Sequence, residues 1–139
     1  MFNQLYSQKV LDHFRKPKNM GEMKNPDGVA TVGNPNCGDI MRLFIKVGRR
    51  PASAKAAEGK EEYIEDIKFQ TLGCAAAIST SSILTTMVKG RPLKKAEKIT
   101  NKAVVEAAGG LPPVKIHCSV LAADALKKAI ENYRQKNVK

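Results

Sequence analysis

The chain has 139 residues, 42% of them hydrophobic and 5% aromatic, with no Trp: enough apolar material for one core and too little for two comfortable ones. No run of about 18 apolar residues is present, and the N-terminus shows helical periodicity in place of a basic patch followed by an apolar stretch, so a soluble chain with neither signal peptide nor transmembrane helix is expected. Lys and Arg outnumber Asp and Glu by 24 to 13, giving +11, and +8 of that lies between Lys89 and Lys139; the excess suits a solvated lysine-rich surface or an acidic partner, while the lack of basic segments interleaved with aromatics disfavours a binder of single-stranded nucleic acid.

From Phe2 to Arg15 the apolar residues Phe2, Leu5, Tyr6, Val10, Leu11 and Phe14 follow helical spacing, and Pro17 ends the run. Asn19 to Gly28 is dense in turn formers and predicts an irregular connection. Gly28 to Gly33 is short and β-branched, and it runs into Asn34-Pro35-Asn36-Cys37-Gly38-Asp39, a turn that carries a cysteine and a carboxylate two residues apart. Ile40 to Val47 alternates with period two, Met41, Leu43, Ile45 and Val47 on one side, which is the clearest strand pattern in the chain. Tyr63 to Thr71 alternates again, with Tyr63, Glu65, Ile67, Phe69 and Thr71 on one side; a long hairpin with a solvated tip from Gly48 to Lys60 joins the two strands.

Gly73-Cys74 follows the second strand of that hairpin, and Ala75 to Met87 reads as a helix of small residues closed by Lys89-Gly90-Arg91-Pro92. Shorter helices are predicted over Leu93 to Ile99 and Asn101 to Ala108. Then comes Leu111-Pro112-Pro113-Val114-Lys115-Ile116-His117-Cys118-Ser119, where two prolines fix φ and remove amide donors, so an extended, rigid segment delivers His117 and Cys118 to the start of a final helix. That helix carries Ala122, Leu126, Ala129, Ile130 and Tyr133 on one face, and the tail beyond Arg134 is expected to fray.

Three cysteines, an odd number, are spread over the chain with no export signal, which points to reduced thiols in a cytoplasmic setting rather than to disulfides. Each stands at an element boundary, where three loops can converge at one end of a domain. Each of them, taken singly, can equally be a small buried hydrophobe. Together, Cys37, Cys74 and Cys118, with Asp39 or His117 as fourth ligand, form a donor set of soft thiolates that suits zinc or an iron-sulfur cluster. No CxxC pair is present, so the spacing of zinc fingers and ribbons is absent. Asp39 can equally stabilise its turn.

Asn34-Pro-Asn-Cys-Gly-Asp39, Gly73-Cys74 before an Ala/Ser-rich helix, and Leu111-Pro-Pro-Val-Lys-Ile-His-Cys-Ser119 resemble the three motifs of the NifU/IscU-type iron-sulfur cluster assembly scaffolds, and the likeness extends from Tyr6 and His13-Phe14 through Val120-Leu121-Ala122. The resemblance implies a non-catalytic scaffold that builds a labile 2Fe-2S cluster and passes it to apo acceptor proteins. It implies Cys37, Cys74 and Cys118 as thiolate ligands, completed by Asp39 or His117, with Zn2+ able to occupy the cluster-free site. It also implies Cys118 as the main acceptor of sulfur from a cysteine desulfurase, electrons from a ferredoxin, and recognition of Leu111, Pro112, Pro113, Val114 and Lys115 by an Hsp70-type chaperone with its co-chaperone. A monomer, or a homodimer or trimer on cluster binding, is implied, and a 4Fe-4S form on a dimer is left open.

Two positions depart from the family pattern. Ala75-Ala76 follows Gly73-Cys74 where Gly-Ser is usual, and Thr86 stands where an acidic residue is common. The expected architecture is α+β, one domain over residues 1–139: an N-terminal helix, a small three-stranded antiparallel sheet, and C-terminal helices packed on one face of it. Two rivals are a zinc-dependent sulfurtransferase partner using the same thiols, which the Pro-Pro-Val-Lys and His-Cys pairing disfavours, and a basic nucleic-acid-binding module.

Overall fold

The computed structural model describes residues 7–34, 39–51, 60–72, 75–109 and 122–136. Helix α1 (Gln8–Arg15) is followed by strands β1 (Gly28–Asn34), β2 (Asp39–Pro51) and β3 (Lys60–Leu72), then by helices α2 (Ala75–Val88), α3 (Leu93–Ala96), α4 (Asn101–Ala107) and α5 (Ala122–Lys136). The strands form one antiparallel sheet in the order β1-β2-β3. This is the expected α+β arrangement, and the alternation in β2 places Met41, Leu43 and Ile45 in the core. There they meet Ile83 and Leu84 of α2, Val104 of α4 and Leu126 and Ile130 of α5, all buried. Apolar contact of this kind is the main stabilising term for the fold.

Local chemistry moves several boundaries from where periodicity sets them. Ser7 stands outside α1 as its N-cap, with extended backbone, and its hydroxyl oxygen accepts from the Val10 amide. The helix therefore starts at Gln8, and Phe2 to Tyr6 lie outside the described residues. The hairpin strands run on through Pro51 and from Lys60, well into the expected tip, where Arg49 stands opposite Glu62 with its guanidinium 3.8 Å from the carboxylate. Charged cross-strand pairs support a strand as apolar ones do, but they leave no hydrophobic alternation.

A bulge reverses the expected facing in β3. Lys46 pairs with Asp66 and Val47 with Ile64, so Glu65 has no partner in the register. One extra residue flips the alternation, and Ile64 joins Ile67 and Phe69 in the core while Glu65 is exposed. Helix α3 is a single turn, ending at Ala96 rather than at Ile99.

Candidate functional site

Cys37, Cys74, His117, Cys118 and the segment Leu111 to Lys115 lie outside the described residues, as does the side chain of Asp39. The elements that bracket them set the site. Asn34 closes β1 and Asp39 opens β2 as the last pair of that ladder, and the next residue, Ile40, pairs with Leu72, the last residue of β3. Cys37 belongs to the four-residue link between Asn34 and Asp39, and Cys74 is the second residue after Leu72. Two cysteine-bearing segments thus leave the same end of the sheet.

Both long helices start toward that end. Helix α2 begins at Ala75, directly after Cys74, and returns along β3: the Gly90 amide donates to the Ile64 carbonyl at 2.7 Å, and Lys89 pairs with Asp66 at 3.3 Å. Helix α5 places Ala129 against Gly28 and donates from the Tyr133 hydroxyl to Glu62, which faces Arg49. Its C-terminal half therefore travels away from the Asn34 end, and its first residue, Ala122, points back to it. Ala122 is about 10 Å of helix from Ala129, while Gly28 to Asn34 spans about 20 Å of strand. The four residues from Ala122 back to Cys118 reach up to ~14 Å when extended, which covers the difference.

The electrostatic consequence follows from those directions. A helix N-terminus carries unsatisfied amides and the positive end of the macrodipole, which favour thiolate over thiol and stabilise anionic groups. In sequence, Cys74 stands one position before Ala75, the first described residue of α2, and Cys118 four before Ala122, the first of α5. Among the described residues no group of three or more His, Cys, Asp or Glu side chains is placed to hold a metal ion, and no helix is long and apolar enough to cross a membrane.

One structural feature escapes sequence reasoning: the polar seam that fixes α2. Ser79, Thr80, Ser81, Ser82 and Thr85 are all buried. Ser79 donates to the Val10 carbonyl of α1 at 2.8 Å. Ser82 Oγ accepts from the Lys18 amide at 2.7 Å and lies 2.7 Å from His13 Nδ1, while Asn19 donates to Thr85 Oγ1 at 3.0 Å. Hydroxyls on a helix that looks amphipathically indifferent thereby tie it to α1 and to the 18–19 turn, holding the position from which Cys74 departs. Burial, followed by the charges of Lys9 and Lys18, lowers the pKa of His13 below the ordinary imidazole value; Asp12 opposes the shift. The Ala/Ser richness of the segment was the visible signal, but serine does not say which face it occupies.

The model for the NifU-like N-terminal domain matches residues 5–139. The chain belongs to the NifU-like N-terminal domain family. The iron-sulfur cluster assembly scaffold protein IscU 1 of Archaeoglobus fulgidus is 56% identical over 135 residues, covering 97% of this chain and 80% of that protein. The IscU scaffold protein of Azotobacter vinelandii is 48% identical over 134 residues, covering 94% and 95%. A solved structure of the N-terminal part of a nitrogen-fixing NifU-like protein from Brucella abortus shares the fold, with a TM-score of 0.70 at 20% identity over 97% of this chain and 98% of that one. Family membership agrees with the resemblance carried by the three cysteine motifs and with the α+β arrangement.

Proposed function

We propose that this chain is a non-catalytic scaffold that assembles a labile 2Fe-2S cluster from ferrous iron and desulfurase-derived sulfur and transfers it to apo acceptor proteins. The observation that carries the reading is the common end of the sheet from which the Cys37 and Cys74 segments leave and toward which α2 and α5 both direct their N-termini. Relatives named as iron-sulfur cluster assembly scaffolds, 56% and 48% identical, support it. The proposed ligands are Cys37, Cys74 and Cys118, with Asp39 or His117 as the fourth. Thiolates are the soft donors that iron-sulfur clusters take.

In this reading Cys118 receives a persulfide sulfur from a cysteine desulfurase. Persulfide sulfur is more oxidised than the bridging sulfide, so each sulfur needs a pair of electrons, with a ferredoxin as the donor class. The segment Leu111 to Lys115, with its two consecutive prolines, serves as the recognition element for an Hsp70-type chaperone. The reduced thiols that cluster ligation requires suit a reducing compartment, with the cytoplasm as the expected one. Zn2+ occupies the same thiolates when no cluster is present.

The test is anaerobic reconstitution with ferrous iron, cysteine and a desulfurase, followed by visible spectroscopy and metal analysis. A sulfide-to-iron chromophore that disappears when Cys37, Cys74 and Cys118 are all changed to Ser is expected. No chromophore, or an equal one in the triple variant, overturns the reading.

A further inference from the structure

The end of the sheet opposite Asn34, Asp39 and Leu72 carries a groove. Its floor is Met87 and Val88 of α2 with Ala96 and Ile99, and its rim is Arg91 and Lys95, enclosing about 330 Å³. Val88 and Ala96 are buried, whereas Met87 and Ile99 are packed on the core by one side only and leave the other open to the groove. The walls are held in place: the Ile64 amide donates to the Arg91 carbonyl at 2.9 Å, the Gly90 amide returns to the Ile64 carbonyl at 2.7 Å, and Gly90 takes φ +86°, a turn that glycine adopts without strain. A preformed groove loses less entropy on binding than a mobile one.

The segment that rims it is rich in cations, and Lys94 and Lys95 also line a neighbouring cavity with Glu61 and Glu62. Arg91, Lys94, Lys95 and Lys98 fall within eight residues, all exposed. The single carboxylate among them, Glu97, is engaged by Arg134, and Lys89 at the neighbouring helix end is engaged by Asp66. Arg91 and Lys95 have no carboxylate partner among the described residues. An apolar floor rimmed by Arg91 and Lys95, with no aromatic ring to stack an unpaired base, suits a protein segment better than a single-stranded nucleic acid.

We propose that this groove docks an acidic, amphipathic segment of a partner protein, which seats a large apolar side chain between Met87 and Ile99 while its carboxylates pair with Arg91 and Lys95. A single groove of this size holds one or two anchors, the pattern of helix-in-groove recognition. Leu72 lies eight positions beyond Ile64 along β3, so the groove lies roughly 25 Å along that strand from its Leu72 end. Occupation of one therefore leaves the other accessible, and a docked partner can remain bound while that end works.

The experiment uses a fluorescent synthetic peptide of glutamates with leucines at helical spacing, titrated into the protein at about 0.15 M salt so that distant charges are screened, alongside amide-resolved NMR of the full chain. Saturable binding with shifts at Met87, Arg91, Lys95 and Ile99, and none at Ile40 or Leu72, is expected. The pair Arg91→Glu and Lys95→Glu weakens binding by about tenfold or more, and Lys127→Glu with Lys128→Glu, the same charge change on exposed α5 positions, by less than about threefold. Circular dichroism confirms that both pairs fold; should the first not, the wild-type NMR map alone decides. Equal weakening by both pairs, shifts at the cysteine end, equal binding of a peptide with serine for leucine, or displacement of the peptide by a DNA oligonucleotide each overturns the proposal. Because the readout needs no cluster, Cys37→Ser, Cys74→Ser and Cys118→Ser leave it unchanged, and failure of the scaffold reading is separately visible.

Discussion

The imidazole of His13 and the hydroxyl of Ser82 lie 2.7 Å apart, and the same hydroxyl accepts the Lys18 amide, so one buried oxygen ties α1, the 18–19 turn and α2 together. Ser82→Ala removes that oxygen and leaves the Lys18 amide and the His13 ring without their partner. A loss of about 1–2 kcal/mol in unfolding free energy is expected from urea denaturation. Because the seam fixes the helix that Cys74 precedes, the reconstituted cluster should also decay faster in this variant; an unchanged urea midpoint would count against the seam.

The His13 shift sets a pH dependence. Its folded-state pKa is lowered, by burial first and by Lys9 and Lys18 next, so the unfolded chain binds the proton more readily than the folded one. Stability from this group is complete above the ordinary value of about 6.5 and declines as pH falls from there toward the lowered folded-state value. Urea midpoints between roughly pH 5.5 and 7.5 should rise with pH in the wild type and rise less in His13→Gln. Identical slopes in the two proteins would remove His13 as the cause, since His117 is present in both.

Tyr133 acts in the other direction at high pH. Burial, followed by its hydrogen bond to Glu62, raises the phenol above its ordinary value of 10.0, against the opposing effect of Arg49. The folded state then keeps the proton that the unfolded state loses, so stability is intact below about pH 10 and falls as pH rises beyond it. Tyr133→Phe should flatten that alkaline decline in denaturation measured through the transition.

How far the sequence speaks depends on which force sets each element. Met41, Leu43 and Ile45 are legible as one face of β2 because burial and the period of two coincide. Gly48 to Pro51 and Lys60 to Glu62 are not, because residues such as Arg49, which pairs with Glu62, carry no hydrophobic rhythm. The bulge at Glu65 is invisible for a related reason: register is a property of two strands, and one strand's alternation cannot report it. The candidate site reads in the sequence as three cysteine motifs at element boundaries; the cysteines lie outside the described residues, and the paired ends Asn34 with Asp39 and Ile40 with Leu72 only bracket two of those segments. The serine seam behind Cys74 stayed hidden because a hydroxyl is compatible with either face of a helix.

Gly28 permits the approach of α5 to the sheet. A Cβ at this position would stand 2.3 Å from the Ala129 carbonyl oxygen and 3.0 Å from Tyr133 Cβ, and a backbone oxygen cannot rotate away. Gly28→Ala must therefore separate β1 from α5, at a cost of about 1–3 kcal/mol or more. The neighbouring bond from the Val29 amide to Asn132 Oδ1, at 3.2 Å, should break with it. Calorimetry checks the first point and amide exchange at Val29 the second; a variant as stable as the parent would show that this contact is not tight.

Asp39 tests what makes the proposed cluster labile. A carboxylate oxygen is harder than a thiolate and a weaker ligand for sulfide-bridged iron, so a site of three cysteines completed by Asp39 holds its cluster less firmly than a four-cysteine site does. Asp39 opens β2 opposite Asn34, so Asp39→Ala leaves the ladder pairing in place, because a strand's backbone bonds do not need that side chain. Release should slow, with the holo protein longer lived under air and transfer to an apo-ferredoxin about tenfold slower or more, corresponding to a barrier higher by about 1.4 kcal/mol. If His117 is the ligand that governs release, His117→Ala will change the transfer rate while Asp39→Ala leaves it as it was, and lability will have to be sought in the proline-stiffened segment that carries Cys118.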